Sequence, residues 1–321
     1  MTGKNATQRF PADADGCARA SAILRDGGLV ALPTETVYGL AARADSPEAV
    51  ARIYAAKGRP GFNPLIVHLA SVAPAEKLAV FDERARLLAE RFWPGPLTLV
   101  LPLRHDAQLA DAVTAGLPTV ALRLPAHPVM RAVLDASGLP LAAPSANRSE
   151  SVSPTDAEHV LATLDGRIDA VLDGGMCDQG VESTIVALRA VDGQADGWNL
   201  LRPGPIPTDA LQAILGPQSD AHPQQIEAPG QLARHYSPGK PVRLAATEAR
   251  QGEFLIGFGA VAGDTSLSAT GDVAEAGARL YACLHEAARS DKKRIAVAPI
   301  PHQGIGIAIN DRLRRAAAPG A

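Results

Sequence analysis

The stretch Thr34-Glu35-Thr36 places two hydroxyls and a carboxylate directly after a short apolar run, residues 29–32. An apolar run of this length predicts a buried strand. In α/β sheets, ligands lie beyond the carboxyl ends of strands. The stretch is therefore a candidate ligand site, and a tight polar turn is the alternative interpretation.

Two cations follow in the stretch Lys57-Gly58-Arg59-Pro60, which ends a predicted helix. Lysine is a point charge and arginine a planar fork of donors, so the pair suits a polyphosphate. The alternative is that both cations complement the negative end of the helix dipole. Asn63 opens the next predicted strand and His68 lies within it. A lone histidine in a strand is also common in a core, and no HxxxH or HxH spacing indicates a metal site.

Polar side chains also surround the later apolar run 139–143. Ser145 and Asn147 follow that run, and Ser153 stands before a proline at a predicted helix start. Backbone N–H groups and hydroxyls at a helix start bind anions, with ordinary capping as the alternative for Ser153. A glycine-rich loop leads to Ser183, whose hydroxyl suits a ligand or a turn.

Two further arginines, Arg123 and Arg202, each end an apolar run. Taken alone, neither position indicates a function. Together with Lys57 and Arg59, however, they place several cations at the ends of strands or helices within one predicted domain.

The elements that must position these groups alternate between strands and helices. The clearest helix start is Ser46-Pro47-Glu48, with a serine cap, a proline in the first turn and an acid beside it. Intermixed strands and helices predict an α/β fold with a sheet covered by helices. Strands are predicted at 29–32, 65–69, 97–103, 119–124, 139–143, 169–172, 183–188 and 199–201, and helices at 14–26, 46–56, 83–92, 127–136, 153–164 and 208–215.

A chain of 321 residues is too long for one average domain. We assign residues 1–215 to a first domain, 216–240 to an extended linker rich in proline and glutamine, and 241–321 to a smaller α/β domain. Within the last, Gly257 opens a GxGxxA match to a dinucleotide fingerprint. No helix follows it directly, which favours a turn at a strand end.

Composition excludes several classes of protein. Apolar residues make up 46% and charged residues 20%, as in folded domains and unlike disordered chains. A net charge of −3 gives no global attraction to nucleic acid, and 4% aromatic residues offer few rings for stacking bases. Three separated cysteines, a polar N-terminus and the lack of a run of about 18 apolar residues favour a cytoplasmic location without a membrane span.

In combination, the motifs resemble the YrdC family of threonylcarbamoyl-AMP synthases in its longer two-domain form. The resemblance implies a YrdC-like twisted open mixed sheet with helices, a linker, and a Rossmann-like C-terminal α/β domain. The linker departs from the family at residues 231–233, where many members have methionine and a basic residue. The match covers nearly the whole chain and rests on LPTETVYGLAA, KGRPGFNPLIVH, FWPGPLTLVL, TAGLPTVALRLPAHP, APSANRSESVSPT, GVESTIV, LRPGP, APGQLARHYSPGKPVRL and GIGIAINDRLRRAA.

The resemblance also implies a role for each site residue. Lys57 and Arg59 are expected to act in catalysis by neutralising charge on the phosphates. The linker is expected to fold back over the site. The positions that match the family's L-threonine site are Thr36, His68, Arg123, Ala143 and Ser183. Those that match its ATP site are Lys57, Arg59, Asn63, Thr119, Ser145, Asn147, Ser153, Arg202 and the linker residue Tyr236.

The implied reaction joins L-threonine, bicarbonate or CO2, and ATP into L-threonylcarbamoyl-AMP, with release of pyrophosphate. The product serves the threonylcarbamoyladenosine modification of tRNA, so proteins that transfer it to tRNA are the expected partners. The enzyme must align the reactants and neutralise developing charge. Since no cluster of Asp and Glu predicts a metal cage, we expect Mg2+ to arrive with ATP, with no metal ligand from protein side chains.

Two alternatives stay open. The first is an RNA-binding module, although the charge balance and the few aromatic residues argue against tight RNA binding. The second is carbamoyl transfer from carbamoyl phosphate, a reaction of proteins that carry a related domain. That reaction would call for acyl-phosphatase and zinc-finger segments, and neither is visible in this sequence.

Overall fold

The structure, a computed structural model, describes residues 6–191, 194–219, 227–230 and 235–318. These residues form a ten-stranded mixed sheet with helices and a smaller four-stranded sheet with its own helices. The predicted α/β class, with a large mixed sheet and a second smaller body, is confirmed. Parts of the predicted linker, including its departure at residues 231–233, lie outside the described residues.

The larger body contains the first ten strands and eight helices of the described chain. Its strands are β1 (Gln8–Pro11), β2 (Val30–Leu32), β3 (Gly39–Arg43), β4 (Ile66–His68), β5 (Leu97–Pro102), β6 (Thr119–Arg123), β7 (Leu141–Ala142), β8 (Ala170–Asp173), β9 (Thr184–Val191) and β10 (Gln194–Arg202). Its helices are α1 (Ala14–Arg25), α2 (Pro47–Lys57), α3 (Val72–Leu78), α4 (Glu83–Phe92), α5 (Asp111–Thr114), α6 (Pro128–Ser137), α7 (Ala157–Leu164) and α8 (Thr208–Leu215).

The smaller body follows the linker. All neighbouring strands in its sheet are parallel, in the order β11-β14-β12-β13. Among the described residues, no helix in either body has the length and apolar character needed to cross a membrane. The elements of the smaller body are β11 (Val242–Arg243), β12 (Glu253–Gly257), β13 (Thr265–Ser266), α9 (Val273–Arg289), β14 (Arg294–Val297) and α10 (Gly306–Ala316).

The register of the large sheet brings several strand ends to one edge. Its order is β1-β8-β2-β3-β7-β4-β6-β5-β9-β10. β4 and β6 run parallel with His68 opposite Arg123, and β5 runs antiparallel to β6. Because β5 runs parallel to β9 with Leu97 opposite Thr184, the start of β9 lies level with the end of β6. β10 returns antiparallel to β9 and ends at the same edge with Arg202.

Helix α2 shows how local sequence sets an element beside this edge. The Ser46 hydroxyl accepts a hydrogen bond from the backbone N–H of Ala49 at 3.2 Å, and Pro47 occupies the first turn. Gly58 ends the helix at φ 61°, a conformation that glycine adopts without steric cost. The chain therefore turns out of the helix directly before Arg59, and the predicted helix start is confirmed.

The helix predicted at 153–164 begins later than expected, so the capping interpretation of Ser153 is wrong. Helix α7 starts at Ala157, and its N-cap is Asp156, whose carboxylate accepts from the backbone N–H of His159 at 2.7 Å. Ser153 is fully buried and its hydroxyl donates to Glu182 at 2.6 Å. Capping rules consider only near neighbours in sequence, and this partner lies 29 residues away.

The smaller body packs directly against the larger one. A single buried cluster combines Val37, Val152 and Val181 of the larger body with Leu280 and Tyr281 of helix α9. Burial of this shared apolar surface favours the docked arrangement. The two bodies therefore share a core at their boundary.

The GxGxxA stretch of the smaller body forms a tight turn. Phe258 and Val261 exchange backbone hydrogen bonds at 3.1 Å directly after β12. A side chain at Gly257 would meet the carbonyl oxygen of Val261 at 2.3 Å, so this glycine permits a close backbone approach. The stretch is a turn at a strand end, as the sequence favoured.

Candidate active site

A small cavity lies at the edge where β4, β6, β9 and β10 bring their ends together. Its enclosed volume is about 40 Å³, which is room for a few water molecules. Loops of the larger body and residues of the linker both contribute to its wall. The lining residues are Thr34, Thr36, Val37, Gly39, Arg59, Ile66, His68, Arg123, Ala143, Pro144, Ser145, Glu182, Ser183, Arg202, Pro229, Gly230, His235 and Tyr236.

Arg123 forms one end of the cavity and is held by groups of the larger body. Its Nη1 donates to the Thr36 hydroxyl at 2.9 Å, its Nη2 to the Glu35 carboxylate at 2.5 Å, and its Nε to the carbonyl of Gly95 at 3.2 Å. Each Nη carries a second N–H. The guanidinium is therefore fixed in place with donors left for a ligand carboxylate.

Glu35 is the group that fixes Arg123, and it is itself anchored. Its second oxygen accepts from the backbone N–H groups of Ala126 at 3.2 Å and His127 at 3.4 Å. Burial raises the pKa of the Glu35 carboxyl, but the adjacent Arg123 outweighs that effect and holds the pKa below its usual range. Glu35 is therefore ionised at neutral pH and forms a buried ion pair with Arg123.

The polar turn before β3 positions Thr36. The Thr34 hydroxyl accepts from the backbone N–H groups of Thr36 and Val37 at 3.1 and 3.2 Å and donates to the Val37 carbonyl at 2.7 Å. The two threonine hydroxyls lie 2.9 Å apart. The structure shows the tight polar turn, which places Thr36 on the cavity wall, and the ligand role of this stretch stays a prediction.

His68 lies in the same wall as an uncharged imidazole. Burial and then the positive charge of Arg123 lower the pKa of His68 to about 3. Its Nδ1 has no hydrogen-bond partner among the described residues, although the side chain is 3% exposed. A buried polar atom without a partner is costly, so a ligand that pairs with Nδ1 would gain affinity.

Arg59 contributes a second cation to the cavity. Its Nε and Nη2 donate to the carbonyls of Asn63 at 3.1 Å and Pro64 at 2.9 Å. Burial lowers the pKa of Arg59 to about 10, so the side chain stays charged at neutral pH. Asn63 lies behind Arg59, and its buried Oδ1 also has no partner among the described residues. The loop after α2 therefore presents a charged donor to the cavity.

Lys57 lies behind the cavity wall and not in it. Its ammonium donates to the carbonyls of Ser145 at 2.6 Å and Asn147 at 2.5 Å. The Ser145 hydroxyl in turn donates to the Asn147 side chain at 2.6 Å, and that amide donates to the carbonyl of Ser151 at 2.8 Å. Burial, and then Arg59, hold the pKa of Lys57 well below its usual range. Lys57 thus shapes the loop that carries Ser145.

Arg202 also lines the cavity. It ends β10, three strands away from β6 and Arg123 in the sheet order, and it contacts the linker. Its Nε and Nη2 donate to the carbonyl and hydroxyl of Ser183, each at 3.0 Å, and its Nη1 donates to the carbonyl of Pro229 at 3.4 Å. The Ser183 hydroxyl also lies 2.7 Å from that of Thr98. Arg202 therefore joins the start of β9 to the linker.

The linker closes this part of the cavity with Tyr236. Tyr236 is 1% exposed and has φ 62°, a conformation that is uncommon for an aromatic residue and is found mostly where the surroundings impose it. Its ring stacks on Tyr281 of α9 with centroids 5.6 Å apart. Beside it, burial lowers the pKa of His235 to about 3, and the backbone N–H of His235 donates to the carbonyl of Arg315 in α10 at 3.4 Å.

The structure thus places most of the predicted site residues on one cavity, with clear exceptions. Thr119 begins β6, so it lies at the opposite end of that strand from Arg123 and away from the cavity. Residues that line the cavity are Thr36, Arg59, His68, Arg123, Ala143, Ser145, Ser183, Arg202 and Tyr236. Residues one step behind it are Lys57, Asn63, Asn147 and Ser153.

Sequence reasoning included Glu35 only as part of a candidate ligand stretch and gave no role to Glu182, although both carboxylates are ion-paired in this region. A signal was present, because each carboxylate directly precedes a predicted ligand hydroxyl, Thr36 or Ser183. A larger open hollow of about 670 Å³ lies between α3 and α6, but none of the predicted site residues lines it. The small cavity is therefore the site that the chemistry supports.

Comparisons with known proteins agree with this architecture. A family model described as "Telomere recombination", covering the Sua5, YciO and YrdC proteins, matches residues 22–204. A second model, described as "Threonylcarbamoyl-AMP synthase, C-terminal domain", matches residues 206–318. Together these matches span both bodies of the structure.

Individual relatives match over nearly the whole chain. The threonylcarbamoyl-AMP synthase of Bacillus subtilis is 43% identical, with 94% of this chain and 92% of that protein covered. The protein of the same name from Pyrococcus abyssi is 39% identical, with 92% of each covered. The crystal structure of P. abyssi Sua5 complexed with L-threonine superposes with a TM-score of 0.86 at 36% identity, covering 97% of both chains. The chain therefore belongs to the Sua5–YciO–YrdC family, in the form that carries a threonylcarbamoyl-AMP synthase C-terminal domain.

Proposed function

We propose that this protein is a threonylcarbamoyl-AMP synthase, which makes L-threonylcarbamoyl-AMP from L-threonine, bicarbonate or CO2, and ATP and releases pyrophosphate. The observation that carries the proposal is the pairing of two cationic ends in one small cavity. Arg123 is bound to Thr36, whereas Arg59 is close enough to Arg202 for their charges to interact, and Arg202 lies three strands away from Arg123 in the sheet order. A carboxylate site beside a phosphate site is what an amino-acid adenylating reaction needs.

L-Threonine fits the Arg123 end of the cavity. The free N–H groups of Arg123 suit its carboxylate, and Thr36, His68 and Ser183 supply hydroxyl and imidazole groups for its polar atoms. Ala143 adds a small apolar wall that suits the threonine methyl group. The neutral state of His68 favours hydrogen bonding over an extra positive charge beside Arg123.

ATP fits the end formed by Arg59, Ser145 and Arg202, with Tyr236 above it. Asn63, Asn147 and Ser153 act by holding that wall, and Lys57 holds the Ser145 loop from behind. We assign Thr119 no direct contact in the closed arrangement. Pro229, Gly230, His235 and Tyr236 of the linker narrow the cavity, and we propose that they move to admit a triphosphate.

The carboxylates near the cavity do not form a metal-binding pair. Glu35 is taken up by Arg123 and Glu182 by Arg312. Across the described ranges, no group of His, Cys, Asp and Glu has the arrangement of a metal site. We therefore propose that Mg2+ enters as a complex with ATP, bound by the phosphates, where it would neutralise part of their charge.

The chemistry proposed for the site is positioning and charge neutralisation. The threonine amine takes up CO2 to form a carbamate, and a carbamate oxygen attacks the α-phosphate of ATP while the bond to pyrophosphate breaks. Arg59 and Arg202 stabilise the charge that builds on the phosphates. A cavity closed by the linker excludes water, which protects both the carbamate and the product from hydrolysis.

The product would then serve the threonylcarbamoyladenosine modification of tRNA in the cytoplasm, through proteins that transfer the threonylcarbamoyl group. The experiment that tests the synthase is product identification by mass spectrometry after incubation with ATP, Mg2+, L-threonine and carbon-13-labelled bicarbonate. We expect threonylcarbamoyl-AMP that carries the label. ATP consumption that yields an unlabelled adenylate, or tight RNA binding without any adenylate, would contradict the proposal.

A further inference from the structure

Glu182 is a buried carboxylate between the two bodies. Its Oε1 accepts from the Ser153 hydroxyl at 2.6 Å, and its oxygens accept from the Tyr281 hydroxyl at 3.0 and 2.9 Å. Its Oε2 accepts from Nε of Arg312 at 3.0 Å. Two of these partners, Tyr281 in α9 and Arg312 in α10, belong to the smaller body. The smaller body therefore reaches a residue that lines the cavity.

Arg312 makes the ion pair with this carboxylate and also pairs with Asp311, with Nη1 3.2 Å from its Oδ2. Arg312 is 0% exposed, and its Nη1 also donates to the carbonyl of Pro203 at 2.6 Å. Burial raises the pKa of Glu182, but Arg312 and then Arg202 outweigh that effect and bring it to about 2. Glu182 is thus a permanent negative charge in a dry environment, where an unpaired charge is very costly.

Glu182 has two arginines within reach of its charge, and they come from different bodies. Arg312 makes the direct ion pair. Arg202 interacts electrostatically with the carboxylate, but its N–H groups donate to Ser183 and Pro229. If Arg312 were absent, Arg202 would be the nearest remaining counter-charge. The attraction would draw its guanidinium away from Ser183, and the Ser183 hydroxyl would lose its orientation toward the cavity.

We propose that Arg312 of helix α10 is a positioning residue of the active site, which neutralises Glu182 so that Arg202 stays bound to Ser183 and faces the ligands. This inference rests on the synthase function proposed above. It assigns the smaller body a direct part in building the site, through a side chain 130 residues away from Glu182 in the chain.

The backbone beside Glu182 supports the same coupling. Gly180, at φ 64°, lies so close to α9 that a side chain there would meet the carbonyls of Gly277 and Ala278 at 2.4 Å. Tyr281 donates to Glu182 and also stacks on the linker residue Tyr236. The loop that leads into β9 is therefore pressed against the smaller body over several residues. Movement of the smaller body would therefore shift the position of Ser183.

The experiment compares threonine binding by the full chain and its variants, using calorimetry well below the melting temperature of each protein. Arg312→Met retains the stem and removes the charge. We expect its Kd for L-threonine to rise about tenfold, within the usual coupling range of contacting residues. Adding Glu182→Gln to this variant removes the charge that would attract Arg202. The double variant is expected to return to within about threefold of the wild-type Kd.

A matched control is Arg243→Met, which breaks another arginine–glutamate pair of the smaller body, with Glu253 at 2.6 Å. We expect it to lower the melting temperature with no change in threonine Kd. Tyr281→Phe keeps the ring and removes one hydrogen bond to Glu182. It is expected to raise the Kd about threefold, and it tests the inference should Arg312→Met fail to fold.

An Arg312→Met protein that melts lower but binds threonine like the wild type would overturn the inference, because that is the result of a purely structural role. A double variant as weak as Arg312→Met alone would also overturn it. If the wild type itself did not bind threonine, the proposed synthase function would fail and the inference with it. If the wild type bound threonine and the Arg312 and Tyr281 variants bound it equally well, the inference about Arg312 would fail while the proposed synthase function would stand.

Discussion

Arg123 and Arg202 lie at the same edge of the large sheet, yet they are held in different ways. Arg123 is bound by Glu35, Thr36 and Gly95, all within the larger body. Arg202 is bound by Ser183 and by the linker carbonyl of Pro229, and its surroundings depend on α9 and α10. One end of the cavity is complete within one body, and the other is assembled from three parts of the chain.

This difference suggests a division of labour. A binding end built on adjacent strands and a tight turn is rigid before any ligand arrives, which favours selection of a small amino acid. An end closed by a linker can open to admit a nucleotide and close to exclude water. We therefore expect changes at Arg123 and Arg59 to affect different ligands, whereas a displaced Arg202 would also weaken threonine binding through Ser183.

The largest effect is expected at the rigid end. Replacing Arg123 by Ala removes the partner that we propose for the threonine carboxylate and leaves the buried Glu35 without its ion pair. Loss of a charge-assisted pair of this kind should raise the Kd for L-threonine about 100-fold, with little change for ATP. Calorimetric titration of each ligand measures the difference. Arg104→Ala, which breaks a surface pair with Asp106, serves as the control. Equal losses of affinity for threonine and ATP would contradict the assignment of the two ligands to different ends of the cavity.

Arg59→Ala should give the converse result at the nucleotide end. The variant removes a buried charged donor that lines the cavity. We expect ATP binding to weaken about 30-fold while the threonine Kd stays within about twofold. Fluorescence competition with a labelled nucleotide would measure ATP, and calorimetry would measure threonine. A variant that loses threonine and keeps ATP would reverse our assignment of the two ends.

Gly230→Ala sharpens the comparison at the linker. At φ 86° an added Cβ would lie 3.0 Å from Cδ of Arg202 and 3.1 Å from the hydroxyl of Tyr236. The strained closure should raise the KM for ATP about fivefold, with a smaller rise in the threonine Kd because Arg202 is bound to Ser183. Gly239→Ala is the matched control, because its φ is 76° and nothing lies within 4 Å of its added Cβ. Identical kinetics for the two variants would show that the contact does not matter.

The smallest effect concerns the response of stability to pH. Burial lowers the pKa of His159 to about 4 and that of its stacked partner His285 to about 3, with ring centroids 3.8 Å apart across the two bodies. A histidine in the unfolded chain has a pKa of about 6.5. Below that pH the unfolded chain therefore binds protons that the folded chain does not bind. The contribution of these histidines to the free energy of unfolding should therefore be at its maximum above that pH. It should decrease as the pH drops toward 4.

Chemical denaturation at several pH values would measure this dependence. Replacing His285 by Gln removes one of the depressed groups and should flatten the curve. The same change at the exposed His105 should leave the slope as it is. A wild-type protein that becomes more stable on acidification would contradict the assignment of neutral buried histidines.

The sequence predicted those features that depend on near neighbours. Ser46, Pro47 and Gly58 define α2, and the structure begins and ends the helix at these signals. Apolar runs located most strands, and polar residues at their ends marked the edge where Arg123 and Arg202 now lie. Chain length, the composition of residues 216–240 and the family resemblance together predicted the two-domain architecture, which the structure and the comparisons confirm.

Features that depend on distant partners could not be predicted in this way. Ser153 has the signature of a helix cap, but its hydroxyl is taken by Glu182. Lys57 has the chemistry of a phosphate ligand, but its ammonium is surrounded by oxygens of the loop around Ser145 and Asn147. The tie between Glu182 and Arg312 joins two bodies, and no local pattern encodes it. The ligand roles assigned to the site residues stay predictions.

The most direct test of the proposed function is pyrophosphate release from ATP by the full chain, measured with each amino acid in turn, with and without bicarbonate. We predict release only when L-threonine and bicarbonate are both present, because we propose that Thr36, His68 and Arg123, which line one cavity, bind that amino acid. Equal release with serine or alanine, or release that does not depend on bicarbonate, would contradict it.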